Sequence, residues 1–151
     1  MDNVSKSRLE ELLKQQKLKR EIKEYEKELD DIKSEIDNFN NLFIVASKEE
    51  HDRYFDVLAR LPARTPCRVD WSKFSYVKSM QVDELRNEND IFLVACKNVV
   101  FKGNIKNIVD AIDDIEVFTA YIDLISSDFK KIIQITDNKD ITMSYLELIK
   151  E

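Results

Sequence analysis

The sequence predicts an α+β protein: a long N-terminal helix of coiled-coil type, then a single mixed α+β domain with a largely antiparallel sheet. Three observations predict it. In LKREIKEYEKELDDIKSEIDNF (18–39), Leu18, Ile22, Tyr25, Leu29, Ile32, Ile36 and Phe39 recur at spacings of four and three, the heptad signature. Further on, short apolar runs rich in branched and aromatic residues follow one another, several joined by hairpin-like turns, which favours α+β over a doubly wound parallel sheet. Finally, 151 residues contain one glycine and two prolines, so there is no Gly-rich linker or Pro-rich tail. The charged fraction, 36%, exceeds the usual ~25% and fits a large solvated helix.

Residues 3–40 read as one helix, with Ser5 or Ser7 as cap and Glu10 three positions after Ser7. Ile22, Leu29 and Ile36 take the a position; Leu18, Tyr25, Ile32 and Phe39 take d. The register breaks before Leu18, where Gln15 and Glu11 fall on the seam and Leu9, Leu12 and Leu13 fall off it. The division expected is helix 1–40 and globular domain 41–151. LFIVAS (42–47) reads as a buried strand, and KEEHDRYFDVLARL (48–61) as a helix capped by Ser47 with Glu50 three residues on. Pro62 ends it, and 62–70 reads as an ordered loop into a strand. WSKFSYVKSM alternates weakly, and VDELRNEN holds a helical turn or two. DIFLVACKN is the clearest strand, with VVFKG turning back beside it. Asn104 caps a helix over 104–115, and EVFTAYIDLI and FKKIIQIT form a hairpin; the first half of ITMSYLELIKE alternates like a strand, while Tyr145, Leu148 and Ile149 fit a helix.

Several chemistries are excluded by what is missing. Phosphate-cradling loops need glycines, and with Gly103 alone neither a P-loop nor a dinucleotide fingerprint can be written. His51 is the single histidine, too few for an ordinary zinc site or a His-based triad, and it reads as a solvated surface residue. Cys67 and Cys96 form no CxxC and are expected as buried free thiols in a reducing compartment. Asp30-Asp31, Asp113-Asp114 and Glu49-Glu50 are neighbours that face different ways on a helix, so they read as solvated faces. No catalytic residue, metal or cofactor is expected. MDNVSKSRLEELL lacks the apolar core of a signal peptide, and no run approaches the ~18 apolar residues of a membrane span. The expected location is cytoplasmic.

Two features point to binding. The first is the heptad ridge, which serves self-association, a different protein, or the chain's own domain. In a parallel pair, Lys14–Lys19 and Glu21–Glu26 repel and only Glu28–Lys33 attracts. An antiparallel pair sets Glu21, Glu28 and Glu35 against one another. Self-association therefore stays open beside docking on the chain's own domain and contact with a different protein. The second is residues 53–78, where six basic side chains face only Asp56 and Asp70, with Trp71, Phe74 and Tyr76 interleaved. Arginine with aromatics suits a protein hot spot, a phosphate or a single-stranded nucleic acid. The C-terminal 104–151 carries five lysines against ten acids.

The function expected is a non-enzymatic protein-interaction module, of the kind of a small acidic inhibitor or immunity protein acting on a larger, nucleic-acid-acting enzyme. Its contact residues are expected to be Leu18, Ile22, Tyr25, Leu29, Ile32, Ile36, Arg64, Arg68 and Trp71. The alternative is a regulator binding nucleic acid or a phosphate ligand through the Arg/aromatic stretch 60–78. No membrane partner is expected.

Overall fold

The computed structural model of the chain describes residues 3–65 and 68–150, and its centre is an antiparallel sheet of seven strands. In chain order the elements are α1 (Asn3–Glu35), α2 (Phe39–Leu42), β1 (Ile44–Val45), α3 (Lys48–Arg60), β2 (Ala63–Thr65), β3 (Arg68–Val69), β4 (Lys78–Met80), α4 (Val82–Arg86), β5 (Ile91–Cys96), β6 (Val99–Asn104), α5 (Ile105–Asp110), α6 (Ile112–Ile115), β7 (Ile122–Ser126), β8 (Lys131–Ile135) and β9 (Ile141–Tyr145). Short 3-10 turns occupy Trp71–Lys73 and Leu146–Leu148. The α+β architecture with a long leading helix is the one the sequence predicts.

The sheet runs β1-β6-β5-β7-β8-β9-β4, and β2-β3 form a separate hairpin. Alternation along each strand sends side chains to two cores. Phe92, Val94 and Cys96 of β5, Ile122 and Leu124 of β7, and Ile133 and Ile135 of β8 meet α5, α6 and the lower end of α1. Leu93, Val100, Ile125 and Ile132 point the other way, onto α3, the β2-β3 hairpin and the 71–74 turn. Both faces are covered from Phe92 to Cys96, which is why that run is apolar throughout.

The single glycine has a packing role. A Cβ on Gly103 would stand 2.5 Å from Phe43 Cδ1 and 3.0 Å from the Leu42 carbonyl oxygen. Phe43 needs that space because it closes an aromatic trio: its ring lies 5.1 Å from Phe101 and 5.5 Å from Phe39.

The element boundaries differ from expectation in informative ways. The leading helix stops at Glu35, and Asn38 takes a left-handed conformation (φ 58°) before the chain resumes as α2. The strand expected over 42–47 shrinks to β1, paired with β6 through Ile44↔Lys102 and Val45↔Phe101. The 104–115 helix is broken at Ala111 into α5 and α6. EVFTAYIDLI becomes a strand only from Ile122, because the Phe118 N–H turns back to the Ile115 carbonyl. The loop expected at 62–70 contains the β2-β3 hairpin, with Ala63 opposite Val69. The tail resolves into β9 and a 3-10 turn.

Candidate functional site

The heptad ridge divides between two environments. Ile32 and Ile36 are 0% and 1% exposed, inside the chain's own core with Phe39, and Tyr25 and Leu29 pack partly against it. Ile32 and Ile36, expected among the partner contacts, are thus consumed by the fold: each fully buried aliphatic side chain contributes about 1.5–3 kcal/mol to docking the helix. A polar clamp adds to this. Glu28 accepts a hydrogen bond from the Asn98 N–H at 3.2 Å, in the β5-β6 turn, where Lys97 has φ 53°. On the other side of that turn, His51 Nε2 lies 2.8 Å from the Asn98 carbonyl oxygen. His51 is therefore a partly covered link between α3 and the turn, not the freely solvated residue expected.

Above Tyr25 the helix leaves the domain. Leu18 and Ile22 are 57% and 48% exposed, and Leu9, Leu12 and Leu13 are exposed to a similar degree. Nine residues, two and a half helical turns, separate Leu9 from Leu18 and Leu13 from Ile22, so Leu9 and Leu13 lie on the side opposite Leu18 and Ile22, with Leu12 between the two faces. Residues 3–24 carry seven basic and four acidic side chains, whereas 25–35 carry two basic and five acidic. The free arm is basic on a chain whose net charge is −6.

The stretch 53–78 is not a continuous aromatic platform. Phe74 is buried, and Trp71 packs against it with ring centroids 5.2 Å apart. Tyr76 is exposed. Arg60 pairs with Asp56 at 3.3 Å across exposed surface, and Arg64 pairs with the mostly covered Asp70 at 3.4 Å. Arg53 stacks on Phe129, its guanidinium carbon 4.1 Å from the ring centre. Arg68 is exposed and borders a cleft described below.

Among groups with reactive potential, the Cys96 thiol is fully buried, and burial pushes its pKa up to about 12, so it stays protonated. Cys67 lies outside the described residues. Tyr54 is buried with its hydroxyl donating to the Asp123 carbonyl oxygen at 2.6 Å, and burial raises its pKa well above the usual value. No group of three or more His, Cys, Asp or Glu side chains among the described residues could hold a metal. Among the described residues, no helix is long and apolar enough to cross a membrane.

One residue escaped the sequence reading. Asp123 sits in β7 on the α3 side, opposite Gln134 of β8. Its Oδ1 accepts from Gln134 Nε2 at 2.7 Å, and Gln134 Oε1 accepts from the Val69 N–H at 3.2 Å. Burial raises the Asp123 pKa to about 6, against the smaller opposing pull of the Gln134 hydrogen bond. Its signal was present in AYIDLI: a lone acid at an inward position of an apolar strand.

Compared with known proteins, the chain matches no family model and no curated protein.

Proposed function

We propose that the protein is a non-enzymatic interaction module whose contact element is the upper part of α1, residues 3–24. The observation that carries this reading is the emergence of one continuous helix from the domain with Leu9, Leu12, Leu13, Leu18 and Ile22 all about half exposed. Leu9/Leu13 and Leu18/Ile22 each stand four residues apart, the anchor spacing of a groove-docking helix, so the arm offers two such faces. The arm's basic excess favours an acidic partner surface. The sheet offers less: its edge strands β1 and β4 are two and three residues long, a poor template for strand addition. Self-association through the ridge is limited to Leu18, Ile22 and part of Tyr25, far less than the ~1,600 Å² that a standard interface buries. A heterologous partner is therefore the reading adopted, and an inhibitor-type role toward a larger enzyme is one form of it. The burial of Phe74, the packing of Trp71 and the pairing of Arg60 and Arg64 argue against the nucleic-acid alternative.

The test uses the intact chain and two variants, Leu18→Glu/Ile22→Glu and Leu9→Glu/Leu12→Glu/Leu13→Glu, each first matched to wild type by circular dichroism. Light scattering is expected to give monomers throughout. Affinity capture followed by titration with the purified partner is expected to show a saturable complex that at least one variant abolishes. A wild-type dimer that both variants leave intact, or a complex that neither weakens, would refute the assignment to this arm.

A further inference from the structure

A cleft of about 240 Å³ opens on the α3 side of the sheet, between Leu58 of α3, Leu61 just past its end, Val69 of the β2-β3 hairpin, and Tyr121. Asp123 lines it, and so does Arg68. Most of its wall is aliphatic or aromatic. Its volume is below the ~300–1,000 Å³ of sites for drug-sized ligands, so only a small molecule fits.

The Asp123 carboxyl group is an unusual occupant of such a wall. One oxygen is taken by Gln134 Nε2. Asp123 has no ion-pair partner among the described residues, and no buried side-chain oxygen or nitrogen among them lacks a hydrogen-bond partner. The second carboxyl oxygen is therefore not sealed in the interior, and Asp123 borders the cleft. An ionised carboxylate withdrawn from bulk water is costly unless a cation compensates it. Arg68 does not supply this cation. Both residues line the cleft, yet no ion pair joins them among the described residues. Arg68 itself makes no ion pair among the described residues.

We infer that this cleft is a binding site for a small zwitterion of the α-amino-acid type. Its ammonium group would meet the free oxygen of Asp123, its carboxylate would meet the Arg68 guanidinium, and its apolar side chain would lie against Leu58 and Leu61. Each end then finds the charge the protein leaves unmatched, and the aliphatic wall selects an apolar side chain. The site is separate from the α1 arm and does not depend on the interaction reading.

The experiment is a titration of the intact, isotope-labelled protein with each of the twenty standard amino acids. L-leucine is compared with isoamylamine, which keeps the amine alone, and with 4-methylpentanoate, which keeps the carboxylate alone. Amide shifts confined to Arg68–Val69 and Thr119–Asp123, with leucine or another apolar amino acid binding best, are the expected result. Asp123→Asn and Arg68→Gln should each weaken that binding at least about tenfold, the loss of one charged hydrogen bond. Arg68 is exposed, so its variant tests the site even if the Asp123 variant misfolds. No response to any amino acid up to about 10 mM, where a complex worth under 3 kcal/mol would escape detection, overturns the inference. So does isoamylamine binding as tightly as leucine, or binding that survives both substitutions.

Discussion

Replacing Asp123 by asparagine should stabilise the protein at neutral pH. An ordinary aspartate titrates near 3.8, and burial in the cleft wall lifts this one to about 6. A carboxyl group whose pKa is raised on folding favours the folded state fully only below its unfolded value. That contribution is lost as pH rises from about 4 through 6, because the folded protein resists losing the proton. A rise of about 2 in pKa corresponds to about 3 kcal/mol above pH 7, at 1.36 kcal/mol for each tenfold. Asparagine keeps a carbonyl oxygen to accept from Gln134 Nε2 and carries no charge at any pH. The variant is therefore expected to be about 1–3 kcal/mol more stable than wild type at pH 7.5, the lower end reflecting solvent access through the cleft. At this chain length that amounts to a melting temperature several degrees higher, at about 2–4 °C per kcal/mol. The difference should shrink toward zero by pH 4. Urea denaturation followed by far-ultraviolet circular dichroism at a series of pH values between 4 and 8 reads it directly. A variant no more stable than wild type at pH 7.5, or one whose advantage is the same at pH 4.5, would show that Asp123 does not carry this cost.

The divided helix makes a sharp prediction about truncation. A chain beginning at residue 25 keeps Tyr25, Leu29, Ile32, Ile36 and Phe39 and should fold, whereas one beginning at 41 loses all five and should aggregate or unfold, as judged by light scattering and calorimetry. Gly103→Ala drives a methyl group into the Phe43 ring and should cost about 1–3 kcal/mol in denaturant unfolding; an unchanged midpoint would mean that Phe43 moves aside freely. Ser47→Ala removes the oxygen that accepts from the Glu50 N–H at 3.2 Å and should lower stability by about 1 kcal/mol, with α3 amides exchanging faster. Iodoacetamide at pH 8 should leave Cys96 unmodified in the native protein and label it only after unfolding, as peptide mass mapping would show.

Where local chemistry decides, the sequence was readable. The Ser47/Glu50 capping box set the start of α3, with each backbone N–H meeting the other side chain. The β5-β6 and β7-β8 hairpins followed from apolar runs on either side of short polar turns. Where distant packing decides, it was not. Nothing in the spacing from Leu18 to Phe39 says that the domain ends beside Tyr25, because that limit depends on how far β6 and its turn reach along the helix. The order β1-β6-β5-β7-β8-β9-β4 is likewise a property of the assembled sheet. The short extent of β7 came from the turn at 116–121, whose residues have strand-like side chains but a backbone that hydrogen-bonds back to α6. The arginines of 53–78 were visible, but their pairing with Asp56 and Asp70 was settled by helix pitch and by the geometry of the hairpin.

The anchoring of α1 also changes the thermodynamics of the arm that extends from it. A free peptide of the same residues would have to form its first turn unaided, an event disfavoured by a factor of about 1,000, or roughly 4 kcal/mol. In the protein, the turns holding Leu29, Ile32 and Ile36 are already set by the core, and the arm only adds residues to an existing helix. A partner that requires the helical form therefore meets a ligand whose nucleation has been completed elsewhere in the molecule. Any change that loosens Ile32 or Ile36 would return that cost to the binding step without touching a single contact residue.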